Sequence, residues 1–313
     1  MEFEKSEVSI PHEIIFEIFS WLPVKSLMRF KCVSGLCNSL IFESDFLHIH
    51  RCRSSGTKFL LHKWNSFYAV DLKEDGNIST SLLLTERLPT YSGLNCANGL
   101  FCVWELYNGQ PALIFNLSTR EVRFLPNPNK GIDESWRETQ SIYPYLPYGK
   151  PSVCISGVIY QSVRSVVFGD QKCAIAAIDV KSEKVEIITL WIESYRQDYK
   201  LIEVKGKLAI VDYHRVKSFD LWILEHSPTR EWKRRNIPFP SKWNYEVSRP
   251  IPSITSRDGK IVFICEFKPK DLCWCYDVSA RRRRWTKLEI EHLPEKTSIH
   301  RIYSYVEALD RSI

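Results

Sequence analysis

The chain has 313 residues, 44% of them hydrophobic, and a formal net charge of +6 from 43 basic and 37 acidic side chains. This length allows one small and one larger domain, and a mild charge with both signs interspersed argues against a nucleic-acid-binding protein. No apolar run approaches the roughly 18 residues of a membrane-spanning helix, so no membrane partner is predicted.

Three short helices are predicted between Ile10 and Ile41. Proline fits the first turn of a helix, so Ile10-Pro11 favours a helix start. At about 100° per residue, the apolar residues of this helix share one face and its glutamates lie on the opposite face, as in an amphipathic helix. The apolar face comprises Ile14, Ile15, Ile18, Phe19 and Leu22.

A proline ends this helix, and two further helices are predicted after it. Pro23 cannot continue the first helix, and residues 24–30 form the second. Ser34 is a suitable N-cap for a third helix that ends near Leu40. A unit this small cannot bury all of its apolar groups, so we expect either the rest of the chain or a partner protein to cover part of them.

A longer motif spans the same stretch. It consists of Ile10-Pro11, Glu17-Ile18, Leu22 to Leu27, Arg29-Phe30 and Cys32 to Ser34. It resembles the F-box of plant F-box proteins, which implies that residues 5–50 form a domain that docks on a Skp-type adaptor and, through it, joins cullin and RING subunits of a ubiquitin ligase. The adaptor-binding residues implied by this resemblance are Ile10, Pro11, Ile14, Ile15, Ile18, Phe19, Leu22, Pro23, Val24, Leu27, Val33, Leu36 and Cys37.

One position departs from the family pattern. After Cys-Val-Ser the family usually has Lys, any residue and then Trp, whereas this chain has Gly35, Leu36 and Cys37. A buried Trp covers about 150 to 250 Å², and its loss removes a few kcal/mol at about 25 cal/mol per Å². That is about two decades of affinity, so we expect Cys37 to weaken adaptor binding.

The cysteines predict free thiols in a reducing compartment. The ten cysteines include no CxxC pair, and the polar N-terminal sequence MEFEKSEVSI does not resemble a signal peptide. We therefore expect a cytoplasmic and/or nuclear protein. His48, His50 and Cys52 alternate in HIHRC, but a structural zinc needs four ligands, so neither a metal nor a cofactor is predicted.

A second domain is predicted over residues 57–313. Residues 51–56 are polar and charged and end in glycine; beyond them, apolar residues alternate with polar ones, as in 67–72 and 113–117. A period of two is typical of β-strands. The predicted fold class is therefore α+β multidomain, with a small three-helix F-box followed by an all-β, β-propeller-like domain of kelch type.

A four-stranded unit repeats along this second domain. Short strands flank turn glycines at positions 99, 157, 206 and 259, which are 58, 49 and 53 residues apart, and a second hairpin follows each of them. A period of about 50 residues is that of kelch repeats, and radial repetition of such units forms a β-propeller. We expect residues 59–84 and 301–309 to lie together and close a ring of five or six blades.

A second resemblance covers most of residues 95–290. It is carried by Asn98 to Leu100, Phe115 to Glu121, Leu125-Pro126, Lys205 to Ala209, Phe219 to Leu224 and Glu231-Trp232. These motifs resemble the plant F-box-associated interaction domain, which implies capture of proteins destined for ubiquitination. The family's Gly-Tyr-Asp and Tyr-Lys-Val motifs are missing from residues 131–150, so a shortened strand or an altered blade is expected there.

Two surface segments are candidates for contacts with other molecules. Tyr143, Tyr145 and Tyr148 lie in the candidate substrate-binding loop, because aromatic residues anchor interfaces; a rigid spacer with packed rings is the alternative. The basic run Arg281 to Arg284 is interpreted as a solvated hairpin turn. Nuclear import or nucleic-acid contact is the alternative for that run.

The sequence contains no GxSxG or HExxH motif, no phosphate-binding glycine loop and no Rossmann fingerprint. The chain is therefore predicted to be a non-catalytic subunit. Three functions remain open: a substrate-recognition subunit of a Skp-cullin-F-box ligase with an unknown protein substrate, an adaptor-binding protein that acts outside a ligase, and a ligand-binding propeller or hydrolase with a vestigial F-box.

Overall fold

A helical domain and a β domain follow one another in the computed structural model of the chain. The last helix ends at Arg53, inside the polar segment of residues 51–56 in which the boundary was predicted, and the first strand begins at Thr57. The structure describes residues 10–53, 57–63, 66–72, 78–85, 92–97, 99–105, 112–126, 145–147, 152–165, 172–193, 199–213, 217–225, 231–241, 251–255, 259–265, 272–280, 285–288, 301–305 and 309.

Four helices form the helical domain. They are α1 His12–Ser20, α2 Val24–Phe30, α3 Gly35–Ile41 and α4 Ser44–Arg53. The fourth corrects the expectation of three helices, and it was missed because one of its core-facing positions is a histidine: His50 is buried four residues after Phe46. No helix in the described part of the chain is long and apolar enough to cross a membrane.

The helix boundaries follow local chemistry. Pro11 and Pro23 precede α1 and α2 with φ angles of −55° and −58°, close to the value that the proline ring imposes. The hydroxyl oxygen of Ser34 accepts a hydrogen bond from the backbone N–H of Cys37 at 3.1 Å, which caps α3. The predicted N-cap is confirmed.

The four helices enclose one small apolar core. The ring of Phe46 meets that of Phe16 edge to face at 5.4 Å and stacks on His50 at 5.9 Å. The ring of Phe19 lies 5.0 Å from that of Phe30. The buried side chains of this core are Phe19, Val24, Leu27, Leu40, Ile41 and Phe46, together with Leu309 from the opposite end of the chain.

The β domain consists of short antiparallel strands. In chain order they are β1 Thr57–Lys63, β2 Ser66–Leu72, β3 Ile78–Thr85, β4 Ser92–Ala97, β5 Leu100–Glu105, β6 Leu113–Asn116, β7 Glu121–Phe124, β8 Tyr145–Pro147, β9 Val153–Ile155, β10 Val158–Ser165, β11 Lys172–Asp179, β12 Val185–Glu193, β13 Tyr199–Val204, β14 Lys207–Asp212, β15 Ser218–Glu225, β16 Glu231–Pro238, β17 Ile251–Thr255, β18 Lys260–Cys265, β19 Leu272–Asp277, β20 Trp285–Leu288 and β21 Arg301–Tyr305.

Within the described residues these strands form five sheets, which we call blades 1 to 5 in chain order. Their strand orders are β21-β1-β2-β3, β4-β5-β6-β7, β12-β11-β10-β8 with β9 also on β10, β13-β14-β15-β16, and β17-β18-β19-β20. Each predicted pair of hairpins is one blade. The predicted four-stranded repeat is therefore confirmed.

Tight turns join the first two strands of each repeat. Ser156 and Gly157 have φ angles of 49° and 83°, and Lys205 and Gly206 have φ angles of 52° and 75°. Two consecutive positive values define the two-residue turn whose twist matches that of the flanking strands. Gly99 and Gly259 have φ angles of 83° and 87°. All four glycines predicted to make turns therefore adopt a backbone conformation that few other residues tolerate.

Apolar side chains pack one blade against the next. One cluster joins blade 1 to blade 2 around Phe67 and Phe101, and another joins blades 3 and 4 around Tyr160 and Leu201. Between blades 4 and 5, Phe219 lies 4.9 Å from Phe263, ring centre to ring centre. The first strands β9, β13, β17 and β21 contact one another in succession. The core of the domain is thus a series of layers between blades.

The last strand of the chain completes blade 1. β21 pairs with β1 in antiparallel register, with Leu60 opposite Tyr303 and Lys58 opposite Tyr305. This pairing confirms that the two ends of the β domain lie together. It also means that the first blade is assembled from both ends of the β domain, with β21 as its innermost strand.

Blade 3 departs from the other blades where the family motifs are missing. β9 pairs with residues 158–160 of β10, and β8 pairs with residues 163–165 of the same strand. The expected altered blade is therefore an interrupted strand. Tyr145 lies in β8 and packs against a small cluster that includes Val163, which corrects its placement in a loop. Tyr143 and Tyr148, like Arg281 to Arg284, lie outside the described residues.

Substitutions at the two residues of the turn, Lys205 and Gly206, are expected to change the free energy of unfolding in opposite directions. Gly206→Ala is expected to lower the free energy of unfolding by about 1 kcal/mol, because a Cβ is strained at this φ although no atom lies within 4 Å of its position. Lys205→Asn is expected to raise the free energy of unfolding by a few tenths of a kcal/mol, because Asn tolerates positive φ. Urea unfolding followed by tryptophan fluorescence measures both changes.

Gly35→Ala is the matched control for this prediction. A Cβ at Gly35 also meets no atom within 4 Å, and its φ is not positive, so the free energy of unfolding should not fall. If Gly206→Ala and Gly35→Ala lowered the free energy of unfolding equally, the positive φ of the turn would not be the cause of the destabilisation.

Candidate functional site

The helical domain exposes more large apolar side chains than its size explains. Ile14, Ile18 and Trp21 are 50%, 53% and 65% exposed, and their spacing of four and three residues places them along one side of α1. We call these three residues the α1 stripe. The other exposed large apolar residues of this domain are Ile10, Phe30, Val33 and Leu36. Apolar surface of this kind marks a binding site for another protein.

The structure divides the predicted adaptor-binding residues into three groups. The exposed ones are Ile10, Pro11, Ile14, Ile18, Pro23, Val33 and Leu36. Ile15, Leu22 and Cys37 are half-buried and pack against the helical core. Phe19, Val24 and Leu27 are buried inside that core, so they give the domain its shape. Which of these side chains contact an adaptor remains a prediction.

Sequence reasoning missed Trp21, which is the most exposed residue of the α1 stripe. It lies at the C-cap of α1 with helical backbone angles, φ −97° and ψ −10°. The helical spacing therefore continues to it, seven residues after Ile14.

Two polar side chains hold Trp21 in place. The indole N–H of Trp21 donates to Oε1 of Glu17 at 3.0 Å, and Nη1 of Arg53 lies 3.0 Å from Oε2 of the same carboxylate. The guanidinium of Arg53 also covers the Trp21 ring, 4.6 Å from its centre, which is a favourable cation–π contact. This arrangement joins the end of α4 to the stripe on α1.

A second contact attaches α4 to the turn after α1. Nε2 of His50 lies 2.9 Å from the backbone carbonyl oxygen of Leu22, so its N–H donates to that carbonyl. His50 is buried and His48 is exposed, because residues two apart on a helix point in different directions. Within the described residues no group of three potential metal ligands is found.

Two family models match this chain. Residues 8–49 match the F-box domain, and residues 129–311 match the F-box associated beta propeller domain. The second match covers more than half of the chain. The chain belongs to the F-box protein family. Both matching families fit the order of domains in the structure, and neither is a family of enzymes.

Relatives of this F-box protein occur in Arabidopsis thaliana. The F-box protein At5g65850 is 28% identical, over 78% of this chain and 74% of its own length. The F-box protein At1g31080 is 27% identical, over 97% of this chain and 81% of its own length. Among solved structures, an engineered GH43 glycoside hydrolase matches with a TM-score of 0.35 and 9% identity, over 76% of this chain and 55% of that one, a similarity that carries no argument about activity.

The β domain of the F-box protein carries a polar cluster on blade 4. The buried carboxylate of Asp220 accepts hydrogen bonds from Arg234 at 2.8 Å and from Asn236 at 2.7 Å. Arg234 also lies 5.3 Å from the centre of the Trp222 ring. Because the buried charge is paired with a cation and a further donor, this cluster fastens β16 to β15 and is structural.

The contacts of Glu17 in the F-box lower its pKa. The hydrogen bond from Arg53 is the largest cause and that from Trp21 is the second. A lowered pKa in the folded state stabilises that state above the ordinary carboxyl pKa, and the stabilisation is lost as pH falls through the lowered value. Arg53→Met is expected to return the pKa of Glu17 towards its ordinary range, and Trp21→Phe is expected to raise it less.

Carboxyl-carbon NMR titration of the full chain measures both shifts. Arg29→Met removes a cation from α2 that does not contribute to the shift of Glu17, so it is the matched control and should leave the titration unchanged. A Glu17 titration that is the same in Arg53→Met and in the wild type would contradict the contact between α4 and α1.

Proposed function

We propose that the chain is a substrate-recognition subunit of a Skp-cullin-F-box ubiquitin ligase. Its F-box domain implies binding to a Skp-type adaptor. The α1 stripe is the observation that supports this function most directly, because its three side chains remain at least half exposed in the folded chain. A partner that covers them removes apolar surface from water, at about 25 cal/mol per Å².

The two domains divide the work in this proposal. The F-box holds the adaptor, and the propeller holds a target protein that is still unidentified. The chain contributes proximity, since holding a target beside the catalytic subunits converts an encounter in solution into a reaction within one complex. Target binding by Tyr143 and Tyr148, which flank β8 in the sequence, stays part of the proposal.

The cysteines bear on where the protein acts. In the described part of the chain, Cys32, Cys37, Cys102 and Cys154 carry free thiols. Free thiols persist in reducing compartments, where disulfides do not form. We place the protein in the cytoplasm and/or the nucleus.

Binding to a purified Skp-type adaptor tests the proposal. Ile14→Asp combined with Ile18→Asp is expected to weaken binding at least about 100-fold, because two unpaired carboxylates would be buried in an apolar interface. Both side chains are exposed in the free chain, so the fold should be retained, and circular dichroism checks this. Surface plasmon resonance with immobilised adaptor measures the affinity.

The propeller offers a matched control for this pair. Val122 and Phe124 on β7 are 51% and 65% exposed. Val122→Asp with Phe124→Asp makes the same change of charge on comparable side chains, and adaptor affinity should stay unchanged. A wild-type chain that does not bind, or equal losses in both double variants, would contradict the assigned docking face. Adaptor binding without co-purifying cullin would instead indicate a role outside a ligase.

A substitution at Cys37 tests whether this departure from the family pattern weakens adaptor binding. Its side chain is half-buried against the helical core, next to the exposed Leu36. Cys37→Trp is expected to strengthen adaptor binding by up to about 100-fold, because an indole adds apolar contact area. The same affinity assay measures the gain, with Cys32→Trp as the control at an exposed cysteine. No gain over wild type would show that position 37 does not contact the adaptor.

A further inference from the structure

The C-terminal end of the chain reaches the F-box core. Leu309 is only 4% exposed and belongs to the cluster formed by buried residues of α1, α2, α3 and α4. Leu309 follows β21, which is the innermost strand of blade 1. The F-box core is therefore built from residues at both ends of the chain.

Covalent geometry brings two connections to the same corner of blade 1. Leu309 is the fourth residue after Tyr305, and Thr57 is the fourth residue after Arg53, so each connection spans at most about 14 Å. Lys58, near the start of β1, pairs with Tyr305 at the end of β21. The F-box is thus attached to the propeller twice, once by its own last helix and once by the end of the chain.

We infer that Leu309 is a positioning residue for adaptor docking: this side chain, which follows the last strand of the propeller, acts as a part of the F-box core. The docking half of this inference rests on the proposed function. Leu309 does not lie on the exposed α1 stripe. It acts by packing in the core of the helical domain, in the same cluster as Phe19 and Leu27.

The small size of the F-box explains why one side chain that is distant in sequence can influence adaptor docking. A domain of about 40 residues rarely maintains an apolar core alone. Removing a buried leucine leaves a cavity that the surrounding side chains fill only partly. The helices then open more often, and a partner that needs their closed arrangement binds with an apparent affinity reduced by the closed fraction.

Leu309→Ala in the full chain is the central test. Amide hydrogen exchange in α1, α2 and α3 is expected to accelerate at least about tenfold, and the dissociation constant for a purified Skp-type adaptor is expected to rise at least about tenfold. A chain ending at Tyr305 keeps β21 and removes Leu309, so it should show the same two changes. Leu309→Met conserves volume and should stay within about threefold of wild type in both measurements.

Leu224→Ala separates this effect from general destabilisation. Leu224 is a leucine on β15 that is as deeply buried as Leu309, but in the cluster between blades 3 and 4. This variant should accelerate exchange in blade 4 and leave both the exchange of α1 to α3 and adaptor affinity unchanged. Equal losses of affinity in Leu224→Ala and Leu309→Ala would overturn the inference, as would unchanged exchange of α1 to α3 in Leu309→Ala.

The two proposals fail in different ways. If the wild-type chain does not bind the adaptor, the proposed function is wrong, and hydrogen exchange alone then decides whether Leu309 completes the F-box. If the wild type binds and Leu309→Ala binds equally well, the proposed function stands and the positioning role of Leu309 is wrong.

Discussion

The shortage of interior volume in the F-box governs how the rest of the molecule is arranged. About forty residues in four helices provide more apolar side chains than they can enclose. Leu309 adds a side chain to the core of the helices, and Ile14, Ile18 and Trp21 remain exposed on α1. A residue that follows the propeller thus completes the core of the small domain, and the exposed side chains are left for a partner. The same shortage of interior volume explains why the F-box needs Leu309 in its core and why it exposes apolar side chains that a partner can cover.

The propeller solves a related problem by repetition. Each blade has an apolar face that it cannot bury alone, and clusters such as the one around Phe219 and Phe263 bury two faces at once. Tight turns with positive φ at Gly157 and Gly206 keep the inner strands adjacent. Because β21 pairs with β1, the first blade holds strands from the start and from the end of the β domain. Loops that connect the strands of such a scaffold can vary.

Local patterns revealed most of the fold, and long-range contacts account for what they did not reveal. The turn glycines, the paired hairpins and the Ser34 cap are each encoded within a few neighbouring residues. Helix α4 was missed because its core includes His50, a polar residue whose hydrogen bond to Leu22 is formed only after folding. Leu309 follows a strand-like segment, and nothing local indicates that its side chain joins the helices. Trp21, by contrast, lies at helical spacing from Ile14 and Ile18, so its position on the stripe is encoded locally.

The burial of Leu309 among helices at the start of the chain links the architecture to the order of synthesis. Phe46 leaves the ribosome about 260 residues before Leu309, which at ~5–20 residues per second is roughly 13 to 50 s. During that interval the first domain to emerge lacks one of its core side chains. A message that ends prematurely yields a product whose F-box never acquires it. Synthesis must therefore have reached Leu309 before the core of the F-box can contain all of the side chains described for it.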